Sequence, residues 1–155
     1  MLRQPPEGSA ATSTPAPAIA TTPTLAADTS DWADRAATWE KDFNADNLKG
    51  VVALYAGDGC RMPPHASTAQ GSEGILASLK LAKDQGVASI KITVASAESS
   101  GNLSYAKGSF EVSSAEGKPL DHGKWMGVSK KLNGKWLTQC DIWNSDLPIP
   151  SNKAQ

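Results

Sequence analysis

The sequence is short of the groups that most reactions need. Its 155 residues include two histidines and two cysteines. Cys60 and Cys140 lie far apart with no Cys-x-x-Cys spacing, and only His65 and His122 could join them, so a structural zinc site is not expected. There is no phosphate-cradling glycine loop, no dinucleotide fingerprint and no Ser, His and Asp set in a hydrolase order, so neither metal nor organic cofactor is assigned. No apolar run reaches the roughly 18 residues that a membrane-spanning helix requires. Charge of one sign is also missing: 15 basic and 16 acidic side chains leave a net charge of −1. Nucleic acids are held by clustered excess Lys and Arg, so they are not expected partners.

Aromatic residues make up only 6% of the chain, and none lies before Trp32. Of residues Met1 to Ser30, 21 are Ala, Thr, Pro or Ser, and only Arg3, Glu7 and Asp28 are charged. Such a segment cannot bury enough apolar surface to offset the chain entropy lost on ordering. Residues 1–30 therefore read as a flexible, partly polyproline tether, residues 31–148 as one domain of ordinary size, and residues 149–155 as a frayed tail.

No hydrophobic signal segment follows Met1. Pro/Ala/Thr-rich tethers commonly follow a cleaved export signal or a lipoprotein anchor, so the expectation is a periplasmic or secreted protein whose signal has been removed. Membrane contact would then be only through that removed signal or lipid. A cytoplasmic protein with a disordered arm is the alternative. In an oxidising compartment Cys60 and Cys140 would form a disulfide closing a long loop, stabilising by roughly 4 kcal/mol. In a reducing one they would be two buried thiols.

Within the domain, Ser30 or Asp31 can cap a helix whose Trp32, Ala36, Trp39 and Phe43 share one face. Core packing is the ordinary account of that stripe. Asp46 is the expected cap of a second, short helix carrying Leu48, Val51, Val52 and Tyr55, ended by Gly57-Asp58-Gly59. Cys60-Arg61-Met62 reads as a short strand stopped by Pro63-Pro64. A third helix runs from about Ser72 to Gln85, closed by Gly86. Beyond it the apolar period falls from 3.6 to 2. Ile90, Ile92 and Val94 mark one strand, and Ala106, Gly108, Phe110 and Val112 a second, with Gly108 signalling a bulge or strong bend. A third strand runs from His122 to Leu132 and a fourth from Lys135 to Asn144, joined by Asn133-Gly134, a type I′ hairpin signal.

Three helices followed by a four-strand meander make an α+β domain. The expected architecture is a curved, mixed or antiparallel sheet wrapped as a cone around three N-terminal helices, with a pocket between. The outer face of the sheet must be solvated or paired, which points to a homodimer.

Several segments carry a resemblance: Val52-Ala53-Leu54-Tyr55-Ala56, Met62-Pro63-Pro64, Gly71-Ser72-Glu73-Gly74-Ile75, Asp121-His122-Gly123-Lys124-Trp125, Asn133-Gly134-Lys135-Trp136, and Asp141 through Asp146. Together, in this order, they are similar to the nuclear transport factor 2-like superfamily, the cystatin-like cone of SnoaL-type cyclases and ketosteroid isomerases. The likeness is strongest to a bacterial branch catalogued as a domain of unknown function, whose members often carry an export signal or lipid anchor and an Ala/Pro-rich tether. It implies the cone fold, but this superfamily holds isomerases, cyclases, dehydratases, transport factors and dimerisation modules, so the fold does not imply a function.

By that resemblance Pro63 stands where a ketosteroid isomerase needs its carboxylate base, which argues against that chemistry. SnoaL-type cyclases place an acid or base on the final strand, which makes Asp141 the candidate catalytic residue. The opposing account is that Asp141 is a structural acceptor for neighbouring backbone or for Asn144 and Ser145, and strand register decides between them. Trp39, Tyr55, Met62, His65, Trp125 and Trp143 are the expected pocket lining. For His65 a solvated loop position, and for Tyr55 and Met62 core packing, are the competing accounts.

Three functions follow. One is an exported domain binding a small apolar or amphipathic molecule as a homodimer. The second is a cofactor-independent cyclase, isomerase or lyase using Asp141. The third is an interaction module whose pocket is filled by its own aromatics. A filled core favours the module, and an open cavity with Asp141 facing in favours the enzyme.

Overall fold

The structure, a computed structural model, describes residues 26–27 and 29–148, with side chains from residue 31. Most of the expected tether, and the expected tail at 149–155, lie outside the described residues. The chain order is β1 (Ala26–Ala27), α1 (Thr29–Asn44), α2 (Leu48–Val52), β2 (Tyr55–Met62), β3 (Ala69–Gln70), α3 (Gly71–Asp84), β4 (Ser89–Ser100), β5 (Leu103–Ser113), β6 (Pro119–Leu132) and β7 (Lys135–Ser145). The strands form one mixed sheet in the order β1-β4-β5-β6-β7-β2-β3. Neighbours in β4 to β7 are antiparallel, and β2 runs parallel to β7. This is the α+β cone, a curved sheet with the helices on its inner side. Among the described residues no helix is long and apolar enough to cross a membrane.

The helices bury their aromatic and aliphatic stripes against the sheet. Phe43 of α1, Val51 of α2, Tyr55 and the α3 pair Ile75 and Leu79 form one buried cluster. Trp32, Ala97 and Ala106 form a second. Each large apolar side chain so buried contributes roughly 1.5–3 kcal/mol relative to exposure. Asn133 and Gly134 both have positive φ, 51° and 78°, as the I′ turn between β6 and β7 requires.

Four details differ from the sequence reading. Ala26–Ala27, assigned to the tether, pair with β4 as an edge strand. Asn47, not Asp46, caps α2, its side chain accepting from the Gly50 N–H. Tyr55 and Gly57-Asp58-Gly59 belong to β2 rather than to the end of α2. Finally, the bulge signalled by Gly108 sits opposite it on β4, where the register shifts between Val94 and Ser96. The glycine is needed because the partner's backbone presses in, not because its own strand gains a residue.

Candidate functional site

Helices and sheet enclose a cavity of about 570 Å³, within the roughly 300–1,000 Å³ usual for small-molecule sites. Most of its wall is apolar: Leu54, Leu81, Val87, Ile90, Ile92, Phe110 and Val112. Trp32 and Trp39 of α1 line it, as do Trp125 of β6 and Trp143 of β7. Trp32 and Trp125 lie 5.9 Å apart between ring centroids, and the Trp32 indole N–H donates to Ser104 Oγ at 2.7 Å.

A polar group gathers on the β2–β7 wall. The Trp39 indole N–H donates to the Tyr55 hydroxyl at 3.2 Å, and that hydroxyl donates to Asp141 Oδ2 at 2.9 Å. Arg61 Nε lies 3.7 Å from the same oxygen, too far for a hydrogen bond. Its guanidinium sits over Trp143, 4.5 Å from the ring centroid, and 5.5 Å from that of Trp39. Arg35, from α1, donates to Asp31 at 2.9 Å and to Thr138 Oγ1 at 3.0 Å, stacked 4.0 Å over Trp32. Among the described residues three buried polar atoms of this group have no hydrogen-bond partner: Arg35 Nη2, Arg61 Nε and Asp141 Oδ1.

Two bulges make this arrangement. On β7 the register against β6 shifts between Cys140 and Thr138, so Gln139 is the extra residue. Thr138 and Asp141 thereby both line the cavity, which strict alternation would forbid. On β2, the stretch between Tyr55 and Cys60 spans only Thr138 to Cys140 on β7. Gln139 Nε2 crosses to Asp58 Oδ1 at 3.3 Å and stitches the two bulges together. A Cβ on Gly59 would meet the Ala56 carbonyl oxygen at 2.9 Å, so the tight bulge requires glycine there. Directly after the bulges, Cys60 and Cys140 are register partners joined by a disulfide. Arg61 and Asp141, the next pair, face the cavity.

Burial sets the protonation states. It pushes the Asp141 carboxyl above the ordinary carboxylate range, and the opposing pull of Arg61 and of the Tyr55 hydrogen bond does not cancel it. Burial, followed by the adjacent Asp141 charge, raises Tyr55 far above a normal phenol, so it stays a donor. Burial also lowers Arg35, with Asp31 acting the other way.

Of the residues singled out from the sequence, Trp39, Tyr55, His65, Trp125, Asp141 and Trp143 line the cavity. Met62 does not: it pairs with Ile142 on the neighbouring strand, one step from Arg61 and Asp141 and so on the opposite face. His65 lies in the exposed β2–β3 loop at the cavity edge, with a positive φ of 57°. His122 is exposed and lines no part of it. Ser145, considered a partner for Asp141, instead donates to Asp121 at 2.6 Å. Sequence reasoning missed Arg35 and Arg61. The available signals were an arginine beside the aromatic face of α1, four residues after Asp31, and a lone charge between Cys60 and Met62.

No family model matches the chain, and no curated protein does. Solved structures do match. A cystatin-like-fold protein of unknown function from Nostoc punctiforme superposes with a TM-score of 0.69 at 17% identity, covering 79% of this chain and 94% of that one. The chain has the nuclear transport factor 2-like, cystatin-like fold. A ketosteroid isomerase-like protein from Erwinia carotovora matches at TM-score 0.63 and 19% identity over 75% of this chain and 94% of that one. A nuclear transport factor 2-like protein of unknown function from Pseudomonas putida gives 0.67 and 14% over 81% and 92%. At these identities the cone is what is shared. Among the described residues no group of three or more metal-ligating side chains occurs.

Proposed function

We propose that this cone domain binds a small amphipathic molecule in its cavity, as a homodimer outside the cytoplasm. The observation that carries the reading is the open, mainly apolar cavity of about 570 Å³ with its few polar groups gathered on one wall. The Cys60–Cys140 disulfide favours an oxidising compartment. Met126 and Ile142, cross-strand partners on the sheet face away from the cavity, are both exposed, which supports pairing of two copies there. A cavity not filled by its own aromatics favours binding over the interaction-module reading.

A thermal-shift screen of hydrophobic and amphipathic metabolites tests the binding. A ligand at about 100 times its Kd adds about 2.7 kcal/mol of stability, which is a rise of several degrees. Sedimentation of the same samples should give twice the chain mass. If no compound raises the melting temperature, the binding reading fails.

A second reading, acid–base chemistry on a bound substrate, is favoured by Asp141 lining the cavity in a hydrogen bond with Tyr55. Pro63 also lines the cavity and offers no proton acceptor, which speaks against ketosteroid isomerase chemistry. The acid–base role requires Asp141 to keep its proton to a higher pH in the folded chain than in the unfolded one. Stability from such a group is fully present below the unfolded-state pKa and is lost as pH rises through the folded one. In urea unfolding between pH 3 and 7, wild type should therefore lose stability relative to Asp141→Asn by up to about 1.4 kcal/mol per pH unit within that window. A constant difference would mean that Arg61 and Tyr55 cancel the effect of burial, and a wild type that gains stability with rising pH would mean that Arg61 holds the carboxylate ionised; in either case the acid–base role would lapse.

A further inference from the structure

We infer that the molecule held in the cavity is a carboxylate with an aliphatic or aryl body, its carboxyl group seated in the plane of the Arg61 guanidinium. This deepens the binding reading and rests on it. Arg61 is the most deeply placed charge of the site, its side chain only 9% exposed. Buried guanidinium groups are normally saturated with acceptors, because removing them from water without partners is costly. Among the described residues Arg61 Nε has no such partner, its nearest carboxylate oxygen lying at 3.7 Å.

The geometry says what is missing. The Arg61 guanidinium carbon lies over the Trp143 ring at 4.5 Å, with Trp39 further off at 5.5 Å, and neither indole offers an acceptor in the guanidinium plane. The five N–H groups lie in the guanidinium plane, where a planar two-oxygen acceptor fits best. Asp141 is the nearest carboxylate, yet its Oδ2 is occupied by Tyr55 and lies 3.7 Å from Nε.

The other charges around the cavity do not fill the gap. Asp31 is taken by Arg35. Asp121, which also lines the cavity, accepts from Ser145 Oγ and from the His122 N–H. Arg35, tied to the β7 wall through Thr138, adds a further unpartnered N–H in Nη2. Asp141 Oδ1 is unpartnered too, so among the described residues this wall has two unsatisfied donors, Arg61 Nε and Arg35 Nη2, against one unsatisfied acceptor, opposite an apolar chamber made by Leu54, Leu81, Ile90, Ile92 and Phe110. An anionic head with an apolar body satisfies both.

The experiment is calorimetry at pH 7 with three matched probes: 4-phenylbutyrate, 4-phenylbutanol and 4-phenylbutylammonium. The butyrate should bind about tenfold or more tighter than the alcohol, as expected for hydrogen bonds to a charged group, with the ammonium weakest. Arg61→Gln should bring the butyrate down to the affinity of the alcohol and leave the alcohol unchanged, and Arg61→Lys should keep part of the preference. Should Arg61→Gln fail to fold by near-UV circular dichroism, the wild-type ranking decides alone. Equal binding of butyrate and alcohol to wild type, or a preference that survives in Arg61→Gln, overturns the carboxylate assignment while leaving cavity binding intact. Failure of all three probes to bind overturns both.

Discussion

Replacing Cys60 and Cys140 together with alanine should lower the stability of the domain by about 4 kcal/mol. The bond closes a loop with a sequence separation of 80, containing α3 and the whole of β4, β5 and β6. Cross-linking a loop of that length removes much conformational freedom from the unfolded chain, and this is the main source of the stabilisation in the chain-entropy picture. At about 4 °C per kcal/mol for a domain of this size, the melting temperature should fall by roughly 15 °C. Wild type in reductant should behave like the double variant if the bond is accessible to reduction. The effect should also reach the cavity. Between Tyr55 and Cys60 the β2–β7 ladder has no register partners, and the disulfide is the first tie after that gap, one residue before Arg61 and Asp141. The Asp141–Arg61 juxtaposition should therefore loosen before the sheet itself does. A double variant within about 1 kcal/mol of wild type would show that the ladder and packing alone hold β2 in place.

Gly108→Ala should be the most damaging substitution that adds a single methyl group. A Cβ at this position would lie 1.7 Å from the Thr93 carbonyl oxygen, 2.8 Å from its carbon and 3.0 Å from Trp125 Nε1. The first two are backbone atoms of β4 at the bulge and cannot swing away as a side-chain end can. The third belongs to a cavity-wall indole whose N–H donates to the Ser109 carbonyl at 3.2 Å. Overpacking usually costs about 1–3 kcal/mol and sometimes more. With backbone on one side and Trp125 on the other, we expect about 3 kcal/mol or above. Gly57→Ala is the matched control: nothing lies within 4 Å of its added Cβ, and it sits in the β2 bulge. It should fall within about 0.5 kcal/mol of wild type. Urea unfolding of the three proteins decides the matter, and equal midpoints for the two variants would mean that β4 moves freely at Thr93.

How much of the site could be read from the chain depends on how local each feature is. Trp32, Trp39 and Phe43 recur at helical spacing, and Trp125 and Trp143 follow strand alternation, so their gathering on inward faces is a matter of period. Met62 was misplaced for the same reason in reverse. Alternation counted from Tyr55 would turn Arg61 inward and Met62 outward, as found, but Gly57-Asp58-Gly59 looks like the end of a helix and so places Tyr55 outside the strand. Nothing local tells such a glycine-rich break from a bulge held open by a neighbouring strand. Arg61 and Arg35 were passed over because a single arginine is ordinarily solvated; only the packed structure shows each stacked on an indole.

The sequence by itself determined the elements and the exclusions. Its periods specify three helices and a meander, Asn133-Gly134 specifies the hairpin, and its charge balance and cysteine spacing give no reason to expect nucleic-acid binding or a zinc site. The tertiary structure alone decided that β2 runs parallel to β7, that two opposed bulges put Thr138 and Asp141 on one face, and that Arg61 meets Asp141 beside a disulfide. Elements follow from local preferences within a few residues. Register between strands far apart in the chain is set only when the whole core packs, and a shift of one residue would turn Asp141 away from the cavity.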